Sequence, residues 1–324
     1  MANQRSFVFE KDIEKEKSRQ RVVRIMVQIF LYAFLIVMAL IIIFPFYFMI
    51  ISSVKSLDEY RLPVQTLWPQ HVEMSKNTLI SVPVNYISAF KTANLATLFS
   101  NTLYVGVIST VLSLVITVIT AFAFARLEFK GKNAMFAALL ATMMIPGELF
   151  TITNYQTVSD FLGLRTLGRE LGSQDLIAMG DWKNTFTVLI VPFLVSVFYI
   201  YLLRQNFLQI PNELYLAAKV DGTSDIKYLW KVMIPLALPT LISITILKMM
   251  GAWNSYMWPR LVANDDAHRL ITNGLRNAFQ TTSGDVDIPV QMAAVAIVSA
   301  PLFLVFIFLR KYIMKGVSRS GIKG

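Results

Sequence analysis

Four stretches of this chain run for twenty residues or more without one charged side chain: 25–54, 92–125, 184–203 and 288–309. About 20 apolar residues in helical form cross a hydrocarbon core roughly 30 Å thick, so each run is long enough to span a membrane. Two more apolar stretches carry a single charge each, Glu148 in 133–153 and Lys248 in 233–256. Six spans are therefore expected, over about 26–52, 100–125, 133–154, 185–203, 233–256 and 289–310. A lipid-facing backbone must satisfy its own polar groups, and solid apolar runs do this as helices. A β-barrel would instead alternate over strands of about ten residues. The fold class expected is an all-α integral membrane protein.

Composition agrees with lipid as the solvent. Hydrophobic residues make up 55% of the 324 and charged residues only 15%, against about 25% charged in a soluble domain. The first run follows 24 polar-rich residues and no small-residue cleavage site closes it, so it is expected to remain as a span rather than be cleaved. The formal charge of +10 lies between the apolar runs, which argues for membrane orientation and against nucleic acid. Nineteen Lys and Arg flank the spans on one side and ten on the other, leaving net charges of +11 and −1. Positive flanks mark the cytoplasm, so both termini are expected inside, with 1–24 as a cytoplasmic segment and 25–324 as the membrane domain. Its alternating Glu10–Lys17 run reads as a solvated start to the first helix.

Several chemistries are absent from the sequence. It has no cysteine and only two histidines, His71 and His268, which leaves no expected metal site. No glycine-rich phosphate loop of the G-x-x-x-x-G-K-[ST] kind occurs, so the chain supplies no ATPase of its own. No catalytic residue is expected.

The segment 211–235 carries the most information. Pro211 suits a first helical turn, with Asn212 and Glu213 favourable near its positive end. Gly222 can adopt the left-handed conformation that ends a helix. Thr223 or Ser224 can cap a second helix, with Asp225 in its first turn. Ala217 and Ala218 leave room for another protein surface. In order, the chain reads Leu216-Ala217-Ala218, then Gly222, then Val232-Met233-Ile234-Pro235.

That pattern resembles the signature of permease subunits in binding-protein-dependent ABC importers: E-A-A, three residues, G, nine residues, I-x-L-P. Asp221-Gly222 and the preceding Pro211-x-Glu213-Leu214 are similar to the carbohydrate-uptake branch, which includes the G-type maltose subunit. Further matches are Ile43-Phe44-Pro45-Phe46 with Ser52-Ser53-Val54-Lys55, Asn101-Thr102, Ala121–Leu127, Met144-Ile145-Pro146-Gly147, Trp253-Asn254 and Gly321–Gly324. The resemblance implies that 211–235 docks on a partner ATPase and couples its closure to the spans. Glu213, Leu216, Ala217, Ala218, Asp221, Gly222 and Pro235 would carry that role. It implies a second homologous permease, an ATPase dimer holding ATP and Mg, an extracytoplasmic solute-binding protein and a bacterial inner membrane. One departure is Leu216, where the signature has glutamate; Glu213 lies one turn earlier. The hydrophilic stretch 165–183 looks longer than the family's and reads as an outward-facing insertion.

Single residues have competing readings. Lys248 lies about 22 Å along its span from Met233 at 1.5 Å per residue. An ionisable group so deep faces a bundle interior or a wet path, where it would attract an anionic or hydroxyl-rich solute. Otherwise it snorkels or pairs, with Glu148 as the candidate partner. Trp253 and Asn254 could stack on and hydrogen-bond a sugar, or anchor a span end. Glu148 after Pro146-Gly147 reads as a local hydrogen-bond partner at a kink. Tyr104, Ser109, Ser113 and Thr117 suit helix packing. A membrane enzyme is the rival class, with a centre around Asn264–Arg269 that includes His268.

Overall fold

The computed structural model describes residues 2–74, 83–279 and 286–318, with side chains from residue 20 to residue 310 of these. The side chains of the Glu10–Lys17 run and the terminal Gly321–Gly324 match lie outside it. Every extended element among the described residues is a helix; one isolated bridge pairs Met74 with Pro83. The chain divides into two compact units, Met1–Asn85 with Asp287–Ala296, and Tyr86–Val286 with Ile297–Gly324.

In the first unit, α1 (Ala2–Val54) runs unbroken through the expected 1–24 segment and the first span, with Pro45 inside it. The helix ends where the chain turns back on a buried polar knot. Ser56 caps the short α2 (Leu57–Tyr60), its hydroxyl accepting from the Glu59 amide at 3.2 Å. Lys55 is fully buried and donates to the Thr66 carbonyl. Glu59 accepts from the Thr66 hydroxyl at 2.7 Å and from the Gln70 and His71 amides at 3.0 and 3.4 Å. Burial pushes its carboxyl up, but these donors and the Lys55 charge outweigh that, so it stays below its ordinary range. Asn85 ties the knot to the helix end through the Ser53 and Lys55 carbonyls, at 3.0 and 2.7 Å.

The second unit begins within α3 (Val84–Thr92) and continues into α4 (Leu95–Arg126), its central helix. The next spans are broken. α5 (Lys132–Thr142) is followed by a 3-10 turn at Gly147–Leu149 and α6 (Phe150–Ser159), with a bend of 79°. Then come α7 (Leu164–Leu171) and α8 (Gln174–Gly180). α9 (Phe186–Ile190) and a 3-10 turn at Val191–Phe193 meet α10 (Val197–Gln209) at 47°. α11 (Asn212–Val220) and α12 (Asp225–Tyr228) lead through a π turn at Leu229–Met233 and α13 (Ile234–Leu236) into α14 (Leu238–Trp253), bent by 79°. The short α15 (Met257–Val262) and α16 (Ile271–Ala278) follow, and α17 (Ile288–Ser318) closes the chain.

The stretches expected over 133–154, 185–203 and 233–256 are thus interrupted, each at a proline. Pro146, Pro192 and Pro235 with Pro239 sit at the three breaks. A proline supplies no amide hydrogen and its ring crowds the carbonyl four residues back, so the ladder opens there. Among the described residues, three helices stay long and apolar enough to cross a membrane: Gln20–Val54, Leu95–Arg126 and Ile288–Arg310.

The 165–183 stretch, expected as an insertion, is not an open loop. α7 and α8 form a tight hairpin in which a side-chain carbon on Gly168 would lie 2.7 Å from the Ile177 amide nitrogen, so only glycine fits. Asp160 accepts from the Arg165 amide at 2.8 Å, Arg165 pairs with Asp181 at 3.2 Å, and Trp182 stacks on Phe161 with centroids 4.3 Å apart. Hydrogen bonds from the Thr166 hydroxyl and nearby amides hold the Asp160 carboxyl below its ordinary value, burial notwithstanding.

Two apolar clusters organise the second unit. One gathers Ala121, Phe122 and Ala125 of α4, Leu202, Leu203 and Phe207 of α10, and Tyr228, Leu229, Met233 and Ile244 beyond α11. The other joins Val105, Val158, Val188, Trp258, Val262 and Leu270. Small and hydroxyl residues on α4 make close packing possible, as expected for Ser113 and Thr117, both buried. Gly106 lets Met249 approach to within contact distance. Tyr104 is exposed and tilts against Phe186, 5.0 Å away.

Candidate functional site

Two features bring the singled-out residues together: the 211–235 element and a cavity beside Lys248. In the first, Pro211 precedes the helix as its N-cap, and α11 begins at Asn212, one residue later than expected. The helix stops at Gly222, which has φ +70°. The Thr223 amide reaches back to the Ala218 carbonyl at 2.8 Å and the Gly222 amide to Lys219 at 3.1 Å. These are the two bonds of a Schellman stop, and an L side chain at such φ costs about 1–2 kcal/mol. Ser224, rather than Thr223, caps α12 by accepting from the Lys227 amide at 3.4 Å.

A polar latch then closes the two helices on each other. The Asp225 carboxylate takes the Tyr215 hydroxyl at 2.7 Å and the Lys219 ammonium at 2.7 Å. Lys219 first, then Tyr215, holds the Asp225 carboxyl below its ordinary 3.8, and Asp225 raises Lys219 above 10.5. A lowered acid contributes above its ordinary pKa and is lost only as pH falls through the lowered one. A raised lysine contributes until pH climbs through the raised value. The latch therefore stays closed across the neutral range.

The two faces of this element differ. Tyr215 and Ala218 pack inward on the first apolar cluster, and Tyr215 meets Tyr228 edge-on at 5.1 Å. Glu213, Leu216, Ala217, Asp221, Gly222 and Pro235 are exposed. With them stand Val220 at 88%, Ile226 at 71% and Trp230 at 64% exposure. Such a row of large apolar side chains is unusual on a surface that meets only water.

One residue absent from the expected set anchors the element. Arg126, the last residue of α4, is buried. Its Nη2 donates to the Phe207 and Ile210 carbonyls at 2.9 and 2.5 Å, and its Nη1 to Asn212 Oδ1 at 3.4 Å. It thus satisfies the Ile210 carbonyl left open beyond α10, adds a second donor to the Phe207 carbonyl, which also takes the Ile210 amide at 3.3 Å, and touches the first residue of α11. Its sequence signals are a basic residue closing an apolar helix and its place within the Ala121–Leu127 match.

The second feature is a cavity of about 350 Å³ whose lining includes Ser109, Ser196, Tyr199, Lys248, Ser255 and Trp258. A few hydroxyls and one ammonium on an otherwise apolar wall suit a polar solute. Lys248 donates to the Phe193 carbonyl at 2.5 Å, so the expected partner Glu148 is corrected. The break between Phe193 and Val197 explains the change: Phe193 ends a 3-10 turn, and its carbonyl has lost the amide four residues on that a continuous helix would offer. The Glu148 side chain is exposed and makes no hydrogen bond among the described residues, only its backbone carbonyl taking the Phe150 amide, so its expected role as a side-chain partner at the kink is also corrected. Trp253 and Asn254 do not line the cavity. Trp253 is buried edge-on against Phe99 at 5.5 Å, and Asn254 is exposed at the C-cap of α14.

The region around His268 is built as a loop tied to α4. His268 Nδ1 lies 2.7 Å from Asp265 Oδ2, and Asp266 takes Arg269. Asn101 donates to the Ala267 and Arg269 carbonyls at 2.8 and 3.0 Å, and Thr102 accepts the Ile271 amide at 2.8 Å. Among the described residues no three His, Asp or Glu side chains converge as metal ligands.

Known proteins resemble the chain along most of its length. The arabinooligosaccharides transport system permease protein AraQ of Halalkalibacterium halodurans is 28% identical over 241 residues, 74% of this chain and 79% of that protein. The polygalacturonan/rhamnogalacturonan transport system permease protein YtcP of Bacillus subtilis is 25% identical, covering 91% and 97%. A crystal structure of a bacterial ABC transporter involved in the import of the acidic polysaccharide alginate contains a chain of the same fold. That match has a TM-score of 0.69 at 21% identity, over 89% of this chain and 96% of that one. A family profile matches residues 13–319, and the chain belongs to the binding-protein-dependent transport system inner membrane components, a family of multi-pass membrane proteins.

Proposed function

We propose that this chain is a permease subunit of an ATP-driven carbohydrate importer, and that residues 211–235 couple it to a partner ATPase. The observation that carries the reading is the two-helix element stopped at Gly222, latched by Asp225 and exposing Leu216, Val220, Ile226 and Trp230. A rigid, locally closed element with an apolar outer face can be pushed as one body. Its inner face, through Tyr215, Ala218 and Arg126, passes the displacement to α4, α10 and α14. ATP and Mg belong to the partner ATPase dimer, and a second homologous permease and a solute-binding protein complete the assembly. Counting each bent pair as one span makes six, with both termini cytoplasmic, 1–24 preceding the membrane domain, and the 165–183 hairpin outside. Leu216 replaces the signature glutamate, so docking relies on apolar contact there, with Glu213 the nearest carboxylate on α11.

The named relatives AraQ and YtcP support an oligosaccharide as cargo. The Lys248 cavity supplies an ammonium and several hydroxyls for such a solute, and it fits one bearing carboxylates. Trp253 and Asn254 support the path from outside the cavity wall. In alternating access, the six-helix core would open this cavity to each side in turn.

Detergent copurification from the native membrane tests the assembly: an ATPase, a second permease and a binding protein are expected with this chain. Recovery of the stable chain without an ATPase would sink the reading. For the cargo, Lys248→Met is expected to leave assembly intact. Uptake of a uronate oligosaccharide should fall about tenfold, the equivalent of roughly 1.4 kcal/mol, with uptake of a neutral one little changed. Equal losses for both sugars would make Lys248 structural.

A further inference from the structure

The turn between α4 and α5 holds a cavity that the transport reading leaves unused. It is an open depression of about 410 Å³, and its walls include Glu128, Phe129, Lys132, Asn133, Arg204 and Leu208. Arg204 is set in place from two sides. Its Nε donates to the Phe124 carbonyl at 3.1 Å, and its guanidinium carbon lies 4.0 Å above the Phe136 ring. Its two Nη groups make no hydrogen bond among the described residues. A guanidinium braced in this way loses little freedom on gripping an anion, and its fork matches a phosphate.

Charge in this turn is one-sided. Lys132 is mostly covered, with 17% of its side chain exposed, and stands 3.9 Å from a Glu128 carboxylate whose side chain is 93% exposed. A pair so long and so wet is worth little. Arg126 is committed to the Phe207 and Ile210 carbonyls and Asn212 Oδ1, and Lys130 is exposed. Two cations, Lys132 and Arg204, thus line the cavity with one carboxylate.

Position and rim decide the kind of anion. The apolar helix α4 ends at Arg126, α5 begins at Lys132 and α10 ends at Gln209, so the cavity lies at the polar ends of apolar helices. Phe129 and Leu208 on its rim, and Met135 one turn along α5, are exposed apolar side chains. Free phosphate has no use for them, whereas the acyl chains of a lipid do. Basic pockets between membrane helices hold anionic headgroups in this way. We propose that Arg204 and Lys132 bind the phosphate of an anionic phospholipid, with its chains on Phe129, Met135 and Leu208.

The test uses the intact transporter purified in mild detergent with its partners, and reads bound lipid by native mass spectrometry. After incubation with mixed phosphatidylglycerol and phosphatidylcholine, the wild type is expected to retain phosphatidylglycerol selectively. Arg204→Gln and Lys132→Gln should each lower that retention about fivefold, and millimolar inorganic phosphate should not displace it. Because Arg204 also ties down the Phe124 carbonyl, Lys132→Gln carries the test if Arg204→Gln fails to fold. Equal retention in the wild type and Lys132→Gln, or no preference over phosphatidylcholine, would overturn the proposal. Displacement by inorganic phosphate would make it a free-phosphate site instead. Lipid occupancy is read independently of transport, so this outcome does not depend on the cargo.

Discussion

Gly222→Val is expected to abolish solute uptake and release the ATPase, while leaving the chain in the membrane. The reason lies in the backbone. Gly222 has φ +70°, and nothing lies within 4 Å of where its side chain would start, so no clash is involved. A β-branched residue in that conformation costs more than the roughly 1–2 kcal/mol of an ordinary L residue. The cheaper escape is to unwind the Schellman stop, which frees the Ala218 and Lys219 carbonyls and turns Asp225 away from Lys219 and Tyr215. Asparagine tolerates the left-handed region, so Gly222→Asn should keep most activity and Gly222→Ala should fall between. ATPase copurification and solute uptake measured across the series would check this ranking. Normal values for a well-expressed valine variant would refute the coupling role of 211–235.

The second large effect is expected at Arg126. Arg126→Met preserves length and apolar packing but strips the hydrogen bonds from the Phe207 and Ile210 carbonyls and from Asn212. The Phe207 carbonyl keeps the Ile210 amide, but the Ile210 carbonyl is left unpaired, so a loss of roughly 1–3 kcal/mol is expected. Arg126→Lys should recover part of it, because a point charge can serve one carbonyl but not fork across two. The readout is a thermal-unfolding shift of the purified complex, together with protease sensitivity of the bond region 209–212. A methionine variant as heat-stable and as protease-resistant as the wild type would show that the arginine does not pin α10 to α11. The loss should be local: the cluster around Trp258 shares no residue with the Arg126 contacts.

The two experiments separate a stop from an anchor. Gly222 acts through the conformation of one residue, so its effect should track the side chain's tolerance of positive φ. Arg126 acts through partners about 80 residues away in sequence, so its effect should track the number of donors it can offer. A variant pair with both changes should lose little more uptake than either alone, since each disconnects the same element.

Much of this was legible in the residues themselves. The uncharged runs specified membrane helices because lipid offers no partner to an open backbone, and that argument needs only length and charge. Gly222 announced a left-handed stop because its neighbours on both sides read as helix. The family signature in 216–235 could be recognised for the same reason: it is local, and local backbone chemistry is written in consecutive residues. Pro146 was legible as a kink, but the breaks at Pro192, Pro235 and Pro239, and the angle of every bend, emerged only with the fold.

What only the tertiary structure decided are the partners across long separations. Lys248 finds the Phe193 carbonyl and not Glu148, because a broken helix frees a backbone acceptor that no side chain advertises. Arg126 meets α10 and α11 for the same reason. The 165–183 stretch reads as a hydrophilic loop until Gly168 and Gly180 are seen to let two short helices touch. Trp253 resembles an interfacial anchor in sequence, yet it is buried against Phe99. In each case the deciding atom is a backbone group or a neighbour's surface, whose availability depends on where other helices break and pack.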